Sequence, residues 1–397
     1  MKYIYAVLAS VAGLLVLAIV AIWIIKTRVG DIRPIIFSPD KISQTPEASP
    51  SAPRNGGEMP FPLKVPQGYH IGLFARDLGA VRDLQLSPEG ILLASVTSGG
   101  KVLAFTDKNG DGVADETHTL LSNIRKPHGL AFYKGYLYIA SELAVTRYKW
   151  NASKPEAILD KTLFDIPTGG RHFTRSITFN SKGVMFVSIG STCDTCNENH
   201  PWYAAVITSD MNGKNPLLYA SGLRNSPFII TRPDTDQIWG TEMGRDFLGD
   251  DTPPDEINII NGGNYGWPIC YGDRKRDRAF AKNMPDSKCA NTKPPVYEIP
   301  AHSAPLGLAF IPSDWDSIKG NLLVAYHGSW NRSVPDGYKV VYLSVSKDGV
   351  TTGADFITGF IEGSAAYGRP VDVEFDKHGD LFVSDDKAGN IYIVTKQ

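Results

Sequence analysis

One phrase recurs six times along this chain: a short apolar strand, a tight turn that usually carries Gly, and a second apolar strand. The copies fall at residues 84–95, 128–139, 176–187, 227–239, 307–325 and 371–384. Internal repetition of this kind calls for an array in which each unit buries its apolar face against the next. Outer-strand segments such as residues 101–105 and 390–394 follow the phrases, giving four strands per unit. Such units are longer than WD-type repeats of about 40–45 residues. An open array of this size would leave unpaired strand edges, and radial closure protects them. Residues 68–74 precede the first copy and read as a strand that completes the last blade, tying the two ends together. The expected fold is all-β: a six-bladed propeller of four-stranded antiparallel blades. A two-domain β-sandwich would not account for six copies of one phrase.

The 397 residues are 42% hydrophobic, with 17 Tyr and 17 Phe, a composition suited to a packed β core. A net charge of −2 gives no footprint for nucleic acid. Residues 3–25 form an uncharged, mostly apolar run long enough to cross a bilayer as a helix. A cleavable signal would have a shorter core, so the run is read as an uncleaved anchor over residues 1–28. Residues 29–60, rich in Pro and Ser, read as a flexible linker, and residues 61–397 as the propeller. The expected placement is a single-pass protein of the inner (cytoplasmic) membrane, with its folded domain in the periplasm or outside the cell. The four cysteines agree with an oxidising compartment: Cys193 with Cys196, and Cys270 with Cys289, read as structural disulfides. A redox CxxC lacks a βαβ context, and a zinc site lacks a second ligand pair.

Four segments leave the repeat to present polar groups at equivalent places. They are Arg171-His172-Phe173-Thr174-Arg175, the segment from Gly222 to Pro227 with Arg224 and Asn225, the stretch from Glu242 to Pro268 that includes Asp255 and Glu256, and the segment from Gly368 to Asp372 with Arg369. If the blades surround one axis, these groups converge. Neutral imidazole at His172 suits proton transfer near neutral pH. Arg224 and Arg369 have two readings, as anion ligands or as bridges between blades.

In the order and spacing of these motifs, residues 61–397 resemble the soluble glucose dehydrogenase-like and sorbosone dehydrogenase-like propellers, which use pyrroloquinoline quinone (PQQ). The segment His327-Gly328-Ser329-Trp330-Asn331-Arg332 is closer to the sorbosone branch. The resemblance implies a PQQ-dependent dehydrogenase acting on an aldose or sugar aldehyde, with His172 as the base and hydride passing to the quinone. It implies cofactor contacts from Arg224, Asn225 and Arg369, with Arg332 and Lys339 as further candidates. It also implies Ca2+ held by the backbone carbonyls of Gly244 and Arg245, where oxygen ligation suits a hard cation. Asp246, Asp250 and Asp251 are nearby acidic groups. Electrons would pass to a cytochrome or quinone acceptor. Three positions depart from the glucose enzymes: Arg245 replaces Pro, Ser191 replaces an Asp that orients the base, and Val371 replaces a second Arg.

Asp107, Asn109, Asp111 and Gly112 stand at the first, third, fifth and sixth positions of a calcium loop, with Asp115 and Glu116 following. His118 occupies the twelfth position, so the loop reads equally as a structural Ca2+ site or a polar hairpin. His128, His302 and His327 are expected near the central channel, and His70, His118, His200 and His378 in loops or turns. Two other functions are compatible with the fold: a non-catalytic propeller binding a glycan or protein, and a calcium-dependent, lactonase-like hydrolase. The hydrolase needs side-chain carboxylates at its centre, where this chain offers Arg and His.

Overall fold

In the computed structural model, the described residues are 54–397 except 316, 317, 347 and 348. They form six four-stranded antiparallel sheets arranged as a ring. The innermost strands are Val81–Leu86 (blade 1), Pro127–Tyr133 (blade 2), Ile177–Phe179 (blade 3), Ile229–Thr231 (blade 4), Pro305–Phe310 (blade 5) and Pro370–Phe375 (blade 6). Each touches the next, and the sixth touches the first, so the ring is closed. Blade 6 takes its outermost strand, Tyr69–Ala75, from the start of the domain. That strand pairs antiparallel with Asn390–Lys396, with Ile71 opposite Val394. The sequence-based expectation of a six-bladed, end-tied propeller is met.

The inner strands interlock through the side chains that their common phrase supplies. Asp372 Oδ2 accepts from the Leu84 amide at 2.8 Å, Asp83 Oδ2 from Leu130 at 2.9 Å, and Ser176 Oγ from Ile229 at 3.0 Å. Each bond reaches from one blade to the next and satisfies a buried amide. The repeated Gly-Leu-Ala-Phe has a steric cause: a Cβ at Gly129 would lie 2.6 Å from the Arg175 carbonyl oxygen, and one at Gly307 2.5 Å from the Asp372 Cα. Between the blades, packed apolar clusters such as Trp315, Phe356 and Tyr392 form the core.

Three details differ from the sequence reading. Residues 54–60, assigned to the linker, pack on the propeller: the Gly56 amide donates to Asp111 O at 3.0 Å, and Arg54 Nη2 to Asp376 Oδ2 at 3.1 Å. His70 and His118 lie on strands, Tyr69–Ala75 and Glu116–Leu121, where backbone pairing overrides the turn-like local composition. Blade 3 gains a short fifth strand, Gly263–Asn264, parallel to Leu217–Ser221. The apolar run at residues 3–25 lies outside the described residues. Among the described residues, no helix is long and apolar enough to cross a membrane.

Candidate active site

The inner strands all begin at one face of the ring, and the second strands of the blades all end there. His172 and Arg175 precede the inner strand of blade 3, Arg224 and Asn225 that of blade 4, and Arg369 that of blade 6. Ser191, Met243 and His327 follow second strands. The topology therefore collects at one mouth residues separated by up to two hundred positions in the chain.

His172 is half-buried, with Nδ1 2.8 Å from Ser191 Oγ and 3.1 Å from Ser191 O. The Ser191 hydroxyl donates its own proton to Cys193 O at 2.7 Å. Its oxygen can therefore only accept from the ring, and the carbonyl is an acceptor in any case. Nδ1 carries the proton, and Nε2 keeps its lone pair. Burial, followed by the charges of Arg224 and Arg171, pushes the imidazole pKa down to about 2, so it is neutral at pH 7. His172 thus has an orienting partner in Ser191, although the expected carboxylate is missing.

Arg224 is almost fully buried and tightly held. Nε donates to Asp194 O (3.0 Å), Nη2 to Asp194 Oδ1 (2.7 Å) and Nη1 to Met243 O (3.2 Å). Asp194 Oδ1 also accepts from the Asp246 amide at 2.9 Å, and Asp194 O from Trp267 Nε1 at 3.2 Å. Asp246 in turn accepts from Arg171 Nη2 (2.9 Å) and Asn331 Nδ2 (3.0 Å). The Asp194 hub was not foreseen, because it lies inside the Cys193–Cys196 disulfide loop, which sequence marks only as a bridge. Both expected disulfides are present, Cys193–Cys196 and Cys270–Cys289.

A second cluster sits where blades 5, 6 and 1 meet. Arg369 Nε donates to His327 O at 3.0 Å, and its Nη2 donates to Gly328 O. His327 Nε2 donates to Asp386 Oδ1 at 2.8 Å, and Asp386 Oδ2 accepts from Arg82 Nη1 at 2.6 Å. Burial, then the charge of Arg369, lowers the His327 pKa to about 4. Arg82 was missed because it lies within the first blade's inner strand, where a single charge looks like a solvent-facing alternation. Its position in the sixfold register would have identified it. His128 is fully buried: Nδ1 donates to Arg175 O at 3.1 Å, and Nε2 has no partner.

The remaining candidates are placed as follows. Asn225 Nδ2 lies 3.2 Å from Met243 Sδ, and its Oδ1 is buried without a partner. The Gly244 amide donates to Asp255 Oδ1 at 2.8 Å, and Arg245 Nη1 to Asp277 Oδ2 at 2.8 Å. Arg332 is turned toward the blade 4 loop, donating to Asp250 O, Ala301 O and Asp251 Oδ1. Lys339 pairs with Asp355 on the outermost strand of its own blade at 2.8 Å. Neither joins the His172 or His327 cluster among the described residues. His302 Nε2 donates to Gly249 O at 2.8 Å. In the blade 1 hairpin, Asp107 accepts from the Gly110 and Gly112 amides, Asp111 N donates to Asn109 Oδ1, and Asp115 accepts from Lys108 N.

Several buried polar atoms at the mouth lack partners: Arg82 Nε, His128 Nε2, and Arg175 Nε and Nη2. Native proteins rarely leave such atoms unpaired unless a ligand or water satisfies them. Together with Arg369, these guanidiniums make a desolvated, cationic donor set suited to an anionic, oxygen-rich group.

Closed six-bladed ring, cationic mouth and neutral imidazole together define a class: propellers that gather their polar groups at one end of the central axis. Within that class, the chain belongs to the TrAA12-like family, matching it over residues 63–397. It is 30% identical over 369 residues to an uncharacterized protein of Borreliella burgdorferi, covering 85% of this chain and 92% of that one. It is 24% identical over 397 residues to a pyrroloquinoline quinone-dependent sugar dehydrogenase of Hypocrea jecorina, covering 86% and 91%. A pyrroloquinoline quinone-dependent pyranose dehydrogenase of Coprinopsis cinerea is 35% identical over 424 residues, and the match spans 57% of its length. In structure, the chain resembles a Trichoderma reesei protein of Carbohydrate-Active Enzymes family AA12, with a TM-score of 0.76 and 23% identity, covering 89% of this chain and 100% of that one. It also resembles the holo PQQ domain of Coprinopsis cinerea pyranose dehydrogenase, with a TM-score of 0.73 and 21% identity, covering 87% and 100%. The resemblance read from the motifs stands.

Proposed function

We propose that this chain is a PQQ-dependent oxidoreductase that oxidises a pyranose or related sugar at a carbon bearing a hydroxyl. The observation that carries this reading is the fixed tautomer of His172, whose open Nε2 lies in a mouth lined with guanidiniums. The relatives' activities support it. Arg82 and Arg175, with Arg369 beside them, would hold the anionic quinone, and Arg82 and Arg175 would thereby satisfy their own unpaired donors. The Gly244 and Arg245 carbonyls accept no hydrogen bond among the described residues, which leaves them available to a hard cation such as Ca2+. When bound, the quinone would supply the two-electron acceptor for the hydride leaving the sugar carbon.

The chain's own part is proton handling. Nε2 of His172 takes the hydroxyl proton, and Ser191 holds the ring through Nδ1 so that the lone pair stays aimed. Arg224, held by Asp194, sits beside the ring and keeps it neutral, and a bound anion would offset that charge. The apolar run at residues 3–25 would tether the propeller to the inner membrane, facing the periplasm or the outside. A cytochrome or quinone would take the electrons.

The test is to load the purified protein with PQQ and Ca2+ and follow dye reduction with a panel of pyranoses. Dye reduction that requires PQQ supports the reading, and its absence with every sugar refutes it. His172→Ala should lower turnover by about 10²–10⁴-fold while PQQ affinity changes little. Loss of PQQ binding in that variant would instead make His172 a ligand.

A further inference from the structure

The Cys270–Cys289 disulfide closes an insertion of blade 4 that none of the site chemistry above uses. It runs between the third and fourth strands of the blade, beside Arg224 at the edge of the mouth. Trp267, Cys270, Tyr271 and Asp277 line the same pocket as Arg224 and Arg245. The link is direct: Asp277 binds Arg245, and Trp267 shares the Asp194 carbonyl with Arg224.

Between Cys270 and Lys293 the chain carries seven Lys and Arg against three Asp, although the whole protein has a net charge of −2. One of the three acids, Asp277, is turned inward to Arg245 and is 2% exposed, so it does not offset the surface. Outside stand Arg274, Lys275, Arg278, Lys282 and Lys288, with Asp273, Asp286 and Glu298 as partial counter-charges. Lys282 and Lys288 make no ion pair among the described residues. Met284 lies exposed among them. The patch is preorganised by the disulfide, by Gly272 N donating to Glu256 Oε1 at 2.8 Å, and by Arg276 Nη1 donating to Ala281 O at 2.7 Å. A rigid cationic surface with an apolar residue among its charges has the make-up of a docking site for an acidic protein.

We propose that this insertion docks an acidic one-electron carrier protein, which reoxidises the site. The inference rests on the dehydrogenase reading above and names its partner. Each turnover leaves two electrons and two protons at the mouth. Two carrier molecules in succession each leave with one electron, and the protons pass to solvent. Complementary charge accelerates such encounters and makes them sensitive to salt.

The probe is an acidic c-type cytochrome, with a basic one as control and a small uncharged dye as reference. The variant is Arg278→Glu, Lys282→Glu and Lys288→Glu combined, and none of these residues touches the mouth. The second-order rate with the acidic cytochrome should fall by about tenfold or more at low salt. The difference should shrink as the screening length drops from about 10 Å to about 3 Å. Dye reduction should be unchanged, which also reports correct folding. An unchanged rate with the acidic cytochrome, or faster reduction of the basic one by the unaltered protein, overturns the proposal. Calorimetric titration of the quinone-free protein with oxidised acidic cytochrome gives a readout independent of turnover: binding should weaken in the variant, and equal binding overturns the docking surface. A patch that holds a polyuronate but not the cytochrome also overturns it. Failure of dye reduction in the unaltered protein instead refutes the dehydrogenase reading, leaving the titration to decide docking.

Discussion

Replacing Ser191 by Asp should convert His172 from a group that never protonates near neutrality into one that titrates at measurable pH. In the native chain, burial and the charges of Arg224 and Arg171 outweigh the help from Ser191, and the pKa falls to about 2. A carboxylate replacing the hydroxyl, whose oxygen lies 2.8 Å from Nδ1, would put a negative charge about 4 Å from the ring's positive charge. At an effective dielectric of about 20, that attraction is worth about 4 kcal/mol, or roughly three pKa units. Ser191 is fully buried, so part of this is spent on desolvating the new carboxylate. A net rise of roughly one to three units remains. The assay is long-range proton–nitrogen NMR of the imidazole in quinone-free protein, which reports both tautomer and titration. The native spectrum should show neutral Nδ1–H imidazole throughout about pH 5–8. The variant's midpoint should rise into the range where both forms are seen. A native His172 that titrates near its ordinary value, or that carries its proton on Nε2, would refute the reasoning.

Arg224→Ala should cost about 1–3 kcal/mol in urea unfolding, because it removes the main cation from the partly buried Asp194, which keeps only the Asp246 amide and a more distant Arg245, and it should also weaken PQQ binding. Stability should decline with rising pH: burial raises the carboxyl pKa to about 7 at Asp255, Asp372 and Asp385, and to about 8 at Glu242 and Glu374. These groups bind protons more tightly when folded, so their contribution is complete below about pH 4 and is lost as pH rises through about 6–8. Asp386 and Glu142, held low beside cations, act in the opposite direction only under acid. Scanning calorimetry should therefore give a melting temperature lower by roughly 5 °C or more at about pH 9 than at about pH 5; no fall would contradict the assigned burial. Breaking Cys270–Cys289 should cost about 3 kcal/mol and Cys193–Cys196 about 2, following their loop lengths, with only the second also loosening Arg224 through Asp194. Urea titration of the paired Cys→Ala variants measures both.

The architecture was readable because a propeller writes itself into sequence as a period. Gly129 and Gly307 recur in the same phrase because two backbones approach there, and Asp83 and Asp372 recur because each caps an amide of the next blade. His172, Arg224 and Arg369 were readable for the same reason, since the repeat fixes which end of a strand faces the axis. What escaped depends on contacts between segments that carry no period. Ser191 orients the imidazole only because Cys193 O takes the hydroxyl proton, and Asp194 becomes a hub only once Trp267 and Asp246 reach it from the blade 4 loops. Arg332 and Lys339 look from sequence like further anion ligands, yet Asp250, Asp251 and Asp355 engage them elsewhere. A cation's sequence position says that it can bind an anion, not which one.

The Ser at position 191 also changes how the mouth controls its base. An Asp in that place would raise the ring's proton affinity whether or not anything were bound. With a neutral hydroxyl, the balance at His172 is set by the guanidiniums of Arg224, Arg171 and Arg175, all of which depress its proton affinity. An anionic ligand seated among those guanidiniums would offset them and raise that affinity, so the imidazole becomes a competent proton acceptor only when the mouth is filled. Linkage requires the converse: a protonated His172 favours the anion's retention by the same factor. The cations that would hold the ligand and the group that would take the proton are therefore one electrostatic unit, with Ser191 supplying direction and the bound anion supplying the charge.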